Sequence, residues 1–191
     1  GCRMTLALEN RSGLPEALRV LLKEHPREAW EADPNFNGLI SFWLDRHVMF
    51  RKLGGLLIEE SQAVIDKRHD ADRFSRAVGH YGGMLVNQLH GHHQIEDAHY
   101  FPVLVTRDKR IEKGFDLLDA DHHALDGHLN HFVEQANAAI KGVASGTDPR
   151  PAAEGFLHAA SGLNSLLLRH LEDEEDLIVP VILRYGTEGL G

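Results

Sequence analysis

The sequence has a single cysteine, no long apolar run and no cluster of basic residues. Cys2 alone cannot form an internal disulfide, a thiolate zinc site or a cluster held by several thiolates. No stretch approaches the roughly 18 apolar residues that span a bilayer, and no continuous apolar signal region opens the chain. The formal net charge of -9, without a run of Lys or Arg, argues against a nucleic-acid partner. We therefore expect a cytoplasmic protein whose metal ligands, where present, are nitrogen and oxygen atoms.

The composition is otherwise that of a globular domain, with one unusual feature. Of the 191 residues, 42% are hydrophobic and 26% are charged, and 14 residues are histidine. A chain of this length fits one domain and buries roughly 70% of its unfolded surface. Histidine is the commonest metal-ligating side chain and titrates near neutral pH. The placement of the histidines therefore decides which functional class is favoured.

Helical periodicity dominates the chain. Apolar residues recur at three- and four-residue spacing in four long segments, at about 37–66, 73–102, 111–141 and 152–182. Residues 13–24 predict a short amphipathic helix before them, and Pro102 is expected to end or kink the second long helix. We predict an all-α fold with an N-terminal appendage at 1–36. Residues 37–191 are predicted to form an antiparallel, up-down-up-down four-helix bundle.

Two of these helices carry the same motif, in which a histidine is followed by a glutamate four residues later and by a proline ten residues later. On a helix, positions i and i+4 lie on one face, so an imidazole and a carboxylate reach the same small volume. Each preceding helix adds one histidine on its apolar stripe. The two halves of the chain thus repeat one arrangement, and the predicted metal ligands are His47, His92, Glu96, His122, His170 and Glu174.

Neighbouring residues offer rival ligands. His93 with Asp97 forms a second His-Glu-like pair, but its stripe is more polar than the stripe through the predicted ligands. His123 is disfavoured for the same reason, and Glu175 by the four-residue spacing. The remaining histidines are expected to be solvated or to hydrogen-bond to the ligands on the side away from the metal. Of these, His99 and His128 are candidates for orienting the ligands. The remaining histidines are His25, His69, His80, His90, His93, His99, His128, His131 and His158.

Two interpretations of this pattern are possible, a metal-free helical protein and a metal site. A lone inward histidine is usually a hydrogen-bonded core residue, and a single His-Glu pair is often a surface contact, which would leave a metal-free helical interaction protein. Burying two carboxylates and four imidazoles without a cation is costly, however, because buried charges must be paired or bound to metal. Imidazole suits iron, zinc and copper, whereas calcium and magnesium prefer oxygen ligands. The pattern therefore favours a transition-metal site.

At these residues the sequence resembles the hemerythrin-like, HHE cation-binding family. That family has a histidine on each of four helices, with His-x3-Glu-x5-Pro in the second and fourth, and the resemblance covers about 37–185. It implies an antiparallel four-helix bundle with two irons bridged by Glu96 and Glu174, for which zinc could substitute. Ferritin-like proteins are disfavoured, because their sites use Glu-x-x-His motifs with four carboxylates.

One departure from the family pattern bears on function. Oxygen carriers that this chain resembles have a second histidine one turn after the third-helix ligand, where this chain has Asp126. The four imidazoles counted here leave more than one coordination position open. The resemblance therefore implies a protein that binds or senses O2, NO or the iron and redox state rather than a dedicated carrier. A di-iron oxidase or peroxidase and an iron-centre repair protein are the enzymatic alternatives, and Tyr100 is a candidate for contacting a bound ligand.

Overall fold

The computed structural model describes residues 7–191, so Cys2 lies outside the described residues. Every regular element in this part is helical and none is a strand, which confirms the all-α prediction. None of the described helices combines the length and apolar character that a membrane crossing requires. The α-helices are α1 (Val20–Glu24), α2 (Gly38–Ile65), α3 (Ala71–Ala77), α4 (Gly83–Ile95), α5 (Phe101–Leu104), α6 (Glu112–Ala144) and α7 (Arg150–Tyr185).

The second predicted helix is a continuous helical run that changes its winding twice. Two π-helical turns, Val78–Gly82 and Glu96–Tyr100, connect α3 to α4 and α4 to α5. The second π turn comes just before Pro102, whose ring crowds the carbonyl one turn earlier. A π turn widens the helix at that point, and such turns are frequent at functional sites. The run ends at Leu104, two residues after the proline.

The other long helices end within a few residues of the predicted limits. The loop predicted at 142–151 is shorter than expected, since α6 continues to Ala144 and α7 begins at Arg150. Within this loop, Gly146 has a positive φ of 74°, a conformation that glycine adopts without strain. Pro180 lies inside α7 without ending it. Helical periodicity therefore predicted the limits of the long helices to within a few residues, but it predicted too long a loop between α6 and α7.

The described chain divides into two compact units. Unit 1 consists of residues 7–47, His92–Ala124 and Leu168–Gly191, and unit 2 of Val48–Gly91 and Leu125–Leu167. Helices α2, α4, α6 and α7 each contribute residues to both units. All six predicted ligands belong to unit 1.

The apolar core of unit 1 includes side chains from the N-terminal segment. Leu14, Leu18, Leu21 and Trp30 are buried in one cluster with residues of the long helices, such as Phe115. Burial of this apolar surface holds residues 14–30 against the rest of unit 1. The boundary predicted at residue 36 between an appendage and a bundle stays a prediction.

Unit 2 has an aromatic core. The rings of Phe74 and Phe132 lie 6.1 Å and 5.2 Å from that of Phe156, and all three side chains are buried. At Gly54 two helices approach closely, because a Cβ atom there would lie 2.2 Å from the side-chain oxygen of Asn164. A larger residue at position 54 would therefore force the side chain of Asn164 to move.

Candidate metal centre

The structure brings all six predicted ligands into one buried cluster. Helix α2 contributes one histidine, α4 and the following π turn a histidine and a glutamate, α6 one histidine, and α7 a histidine and a glutamate. Each side chain is at most 7% exposed. The cluster consists of His47, His92, Glu96, His122, His170 and Glu174.

Glu174 lies between two pairs of imidazoles and offers one oxygen to each. Its Oε1 atom is 3.2 Å from Nε2 of His47 and 3.8 Å from Nε2 of His92. Its Oε2 atom is 3.5 Å from Nε2 of His122 and 3.3 Å from Nε2 of His170. We call the first pair the His47 side and the second pair the His122 side. These distances group the four histidines into two pairs around Glu174.

Glu96 divides its two oxygens in the same way. Its Oε2 atom is 3.0 Å from Nε2 of His92, on the His47 side, and its Oε1 atom is 3.3 Å from Nε2 of His122, on the other. The indole Nε1 of Trp43 donates a hydrogen bond of 3.0 Å to Oε2. Both carboxylates therefore have the arrangement of groups that can bridge two cations.

His93 adds a fifth imidazole, and of its two expected roles burial contradicts solvation and leaves support of the ligands open. The residue is only 5% exposed, and its ring stacks on that of His122 at 3.8 Å and 16°. One ring nitrogen each of His93, His122 and His170 can be chosen within 4.8 Å of one another. Burial and the charges of His122 and His170 lower the pKa of His93, which favours a neutral ring. His93 is therefore a fifth buried imidazole beside the four predicted ones.

Several buried polar atoms in the cluster have no hydrogen-bond partner. Buried polar atoms normally have one, so their convergence needs an explanation. A cation would accept lone pairs from imidazole nitrogen and carboxylate oxygen together, and the residues present therefore fit a metal. The atoms without a hydrogen-bond partner are Nε2 of His122 and of His170, Oε1 of Glu96, both carboxylate oxygens of Glu174 and both ring nitrogens of His93.

Three of the imidazoles are held from behind by carboxylates. In each case Nδ1 donates to a carboxylate oxygen, which leaves the Nε2 lone pair directed at the cluster, as in many metal sites. The pairs are His47 with Glu175 at 2.7 Å, His122 with Asp97 at 2.8 Å and His170 with Asp121 at 2.9 Å.

These outer carboxylates were not recognised in the sequence. Asp97 and Glu175 were considered only as rival ligands, and Asp121 was not considered. Each is adjacent in sequence to a predicted ligand, so one step of about 100° around the helix turns it toward a neighbouring helix. His99 and His128, the histidines considered for this orienting role, are exposed.

The carboxylates of the cluster raise the pKa values of the neighbouring imidazoles, as expected where negative groups favour bound positive charge. Burial lowers the pKa of His92, but the charges of Glu96 and Glu174 raise it to about 9. Burial is likewise outweighed by the two glutamates at His122, where the pKa rises to about 11. Burial raises the pKa of Glu174, yet the charge of His170 and the close approach of the other imidazoles hold it well below its ordinary value. The cluster therefore attracts positive charge strongly.

A small apolar cavity of about 20 Å³ lies beside the cluster in unit 1. Trp43 is part of its wall, and the Trp43 ring lies 4.2 Å from the ring of His47. Tyr100 lines the same cavity. The other lining residues are Leu39, Ile40, Leu104, Ile178, Ile182 and Leu190.

A sequence model described as the Hemerythrin HHE cation binding domain matches residues 38–182. The chain belongs to this family. No match was found among curated proteins or among solved structures. As a hemerythrin HHE domain the chain binds cations, and the cluster of histidines and glutamates in unit 1 fits that property.

The hemerythrin match includes every residue of the cluster but leaves out the N-terminal segment. Glu96, His93 and the outer carboxylates all fall within residues 38–182. Residues 7–37 lie before the matched region, although Leu14, Leu18 and Leu21 are buried in the core of unit 1. The matched family pattern therefore does not describe this N-terminal segment.

Proposed function

We propose that this hemerythrin HHE domain binds two iron ions and uses them to bind or sense O2 or NO. The observation that supports it is the division of each glutamate's oxygens between the His47 side and the His122 side. One cation on each side would be bridged by Glu96 and Glu174. The long helices are proposed to pack as an antiparallel four-helix bundle over residues 37–191.

The donor atoms favour a transition metal, and the proposed redox function favours iron among them. Five imidazoles and two carboxylates suit iron, zinc or copper, and they disfavour calcium and magnesium, which prefer oxygen. Zinc has no redox chemistry, so it would fill the site without supporting a redox function. Iron bound here would supply reversible electron transfer and open positions for a small ligand.

The two sides offer unequal numbers of donors, which predicts where a small ligand binds. With His93 included, the His122 side has three imidazoles and two glutamate oxygens, whereas the His47 side has two imidazoles and two glutamate oxygens. The metal on the His47 side therefore keeps more open positions. We propose that O2 or NO binds there, and His93 is the seventh proposed ligand.

The apolar cavity beside Trp43 supports a small neutral ligand. Its lining is aliphatic and aromatic, and Trp43 in its wall packs against the ring of His47. An apolar cavity of this size admits a diatomic molecule more readily than an anion, because an anion would lose its hydration there. This placement favours O2 or NO over a charged substrate.

Metal binding is tested by anaerobic loading with iron followed by elemental analysis and Mössbauer spectroscopy. We expect about two irons per chain in the wild type, and a large loss in Glu96→Ala, Glu174→Ala and the double variant. Glu154→Ala, which changes an exposed glutamate of α7, is the matched control. Full iron occupancy in all three variants would show that the assigned ligands are wrong.

Ligand binding is tested by adding O2 or NO to the reduced, iron-loaded protein and following the optical and electron paramagnetic resonance spectra. We expect NO to bind one iron per chain and His93→Ala to allow binding at a second iron. His99→Ala, at an exposed histidine, should behave as the wild type. Multiple turnovers with an oxidant would instead support the oxidase or peroxidase alternative, and loss of iron to an acceptor protein would support repair.

A further inference from the structure

Two arginines of the N-terminal segment reach the cluster through its outer carboxylates. Arg11 and Arg27 both precede the residues matched by the hemerythrin family, so the family pattern does not account for them. Each arginine binds a carboxylate that in turn holds one imidazole. One imidazole lies on the His122 side and the other on the His47 side.

Arg11 is linked to His170 by a shared oxygen. Its Nη2 donates to Oδ2 of Asp121 at 2.6 Å, and Nδ1 of His170 donates to the same atom at 2.9 Å. Nη1 of Arg11 donates to the other oxygen of Asp121, and Nε donates to Asp173, both at 2.8 Å. The arginine side chain is 1% exposed, so this contact is shielded from water and salt.

Arg27 is linked to His47 in an equivalent way. Its Nη2 donates to Oε1 of Glu175 at 3.1 Å, while Nδ1 of His47 donates to Oε2 at 2.7 Å. Nε of Arg27 also donates to Asp176 at 2.7 Å, and its guanidinium lies 4.7 Å from the ring of Trp30. Arg27 is 41% exposed, whereas Glu175 is 3% exposed.

Such a contact has two physical effects, one on the redox potential of the metal and one on how firmly the metal is held. A carboxylate paired with a guanidinium is a weaker acceptor for the imidazole N–H, so the imidazole stays less electron-rich as a metal ligand. The pair also fixes the carboxylate and hence the orientation of the ring. Outer partners of this kind typically change metal affinity about 10- to 100-fold.

We propose that Arg11 and Arg27 are positioning residues through which the N-terminal segment sets the properties of the two metals separately. Arg11 acts on the metal of the His122 side through Asp121, and Arg27 acts on the metal of the His47 side through Glu175. This inference rests on the proposed function, since it requires a metal on each side.

Arg27→Gln is the primary variant, because Arg27 is partly exposed and its loss leaves the core intact. Iron-loaded protein is titrated for its midpoint potential and challenged with a chelator. We expect a lower potential and iron release faster by roughly tenfold. Arg27→Lys should restore part of both properties. Arg19→Gln is the matched control, since Arg19 lies in the same segment and donates to the backbone oxygen of Leu14 rather than to an outer carboxylate.

Two further measurements separate a positioning role from a general change of charge. In a Glu175→Gln background, Arg27→Gln should have little additional effect, because the path through that carboxylate is already broken. Mössbauer spectra should show Arg27→Gln altering one iron signal and Arg11→Lys altering the other. Arg11→Lys keeps the buried charge, so it tests the bidentate contact without leaving Asp121 unpaired.

The outcomes distinguish this inference from the proposed function. A wild type that binds no iron would overturn both. A wild type with two irons, together with Arg27→Gln and Arg11→Lys that match Arg19→Gln in potential, release rate and spectra, would overturn the positioning role alone. Equal perturbation of both iron signals by each arginine variant would overturn the separate assignment to the two sides.

Discussion

Unit 1 and unit 2 are built from segments of the same long helices, but their interiors have different chemistry. Buried charged and imidazole side chains of the described residues lie mainly in unit 1, and unit 2 contributes Glu60 and Ser61 to the buried polar set. In unit 2 the largest buried side chains are phenylalanines, including Phe74 and Phe156. In α2 the boundary between the two units lies between His47 and Val48.

This difference indicates that one helix can contribute to apolar packing along one part of its length and to metal binding along another. Apolar packing stabilises unit 2 whatever the metal content, because its core contains few groups that need a cation. Unit 1 buries carboxylates and imidazoles whose mutual charges require protons or metal. Stability and metal binding should therefore respond to different substitutions, and the predictions below test that separation.

The largest expected effect is the loss of metal in Glu174→Ala. Both oxygens of Glu174 face imidazoles, one pair on each side, so its removal takes a ligand from both metals at once. Bound iron should fall from about two ions per chain to roughly none. Circular dichroism should show a helical protein, since unit 2 keeps its apolar core. Retention of one full iron would indicate that one side binds independently of this carboxylate.

Phe156→Ala, in contrast to Glu174→Ala, should lower the stability of the protein and leave its bound iron unchanged. The ring is fully buried against Phe74 and Phe132, so its removal should lower the free energy of unfolding by about 3–5 kcal/mol. Iron per folded chain should remain at the wild-type value. Urea denaturation and elemental analysis measure the two quantities. Phe42→Ala, at an exposed phenylalanine, should change stability by less than about 0.5 kcal/mol.

A proportional loss of iron in folded Phe156→Ala would contradict the comparison. It would show that packing in unit 2 controls the cluster, and that the two interiors are not energetically separate.

The pH dependence of the metal-free protein should be confined to unit 1. The pKa values of His92 and His170 are raised from 6.5 to about 9. Groups whose pKa is higher in the folded state stabilise it below the unfolded pKa, and that contribution disappears as pH rises through the folded pKa. The urea midpoint should therefore fall between pH 6.5 and about 9.

Tryptophan fluorescence is a suitable probe of this effect, because the two tryptophans, Trp30 and Trp43, both lie in unit 1. Iron-loaded protein should lose less stability over the same range, since iron binds the deprotonated imidazoles. A midpoint that rises with pH in the metal-free protein would contradict the assignment of these raised pKa values to the cluster.

Local spacing predicted the helices and the six clustered residues, because both depend on the helical period. The i, i+4 pairs of His92 with Glu96 and of His170 with Glu174 needed no knowledge of distant contacts. The burial of His93 could not be read this way, since its ring packs on a residue of another helix.

Contacts between residues far apart in the sequence could not be predicted from local spacing. Arg11 meets Asp121 across 110 positions of sequence, and no local pattern indicates that pairing. The doublet of His92 and His93 was an available signal for the fifth buried imidazole. The polarity of the helical stripe that contains His93 wrongly indicated that this residue faces solvent.

The smallest expected effect is that of Trp43→Phe in unit 1. The substitution keeps an aromatic ring beside His47 but removes the indole N–H that donates to Oε2 of Glu96. A single hydrogen bond of this kind contributes roughly 1 kcal/mol. Glu96 would lose one constraint on its orientation, so metal affinity should fall by about tenfold, the low end for an outer partner.

Trp30→Phe is the control for this measurement. Trp30 is also buried in unit 1, but its Nε1 donates to the backbone oxygen of His25 and not to a proposed ligand. Both variants lose one hydrogen bond, so both should lose similar stability in the metal-free form. Only Trp43→Phe should weaken iron binding in a chelator competition. Equal iron affinities would mean that the carboxylate of Glu96 is held by its imidazole neighbours and the metal alone, without help from the indole.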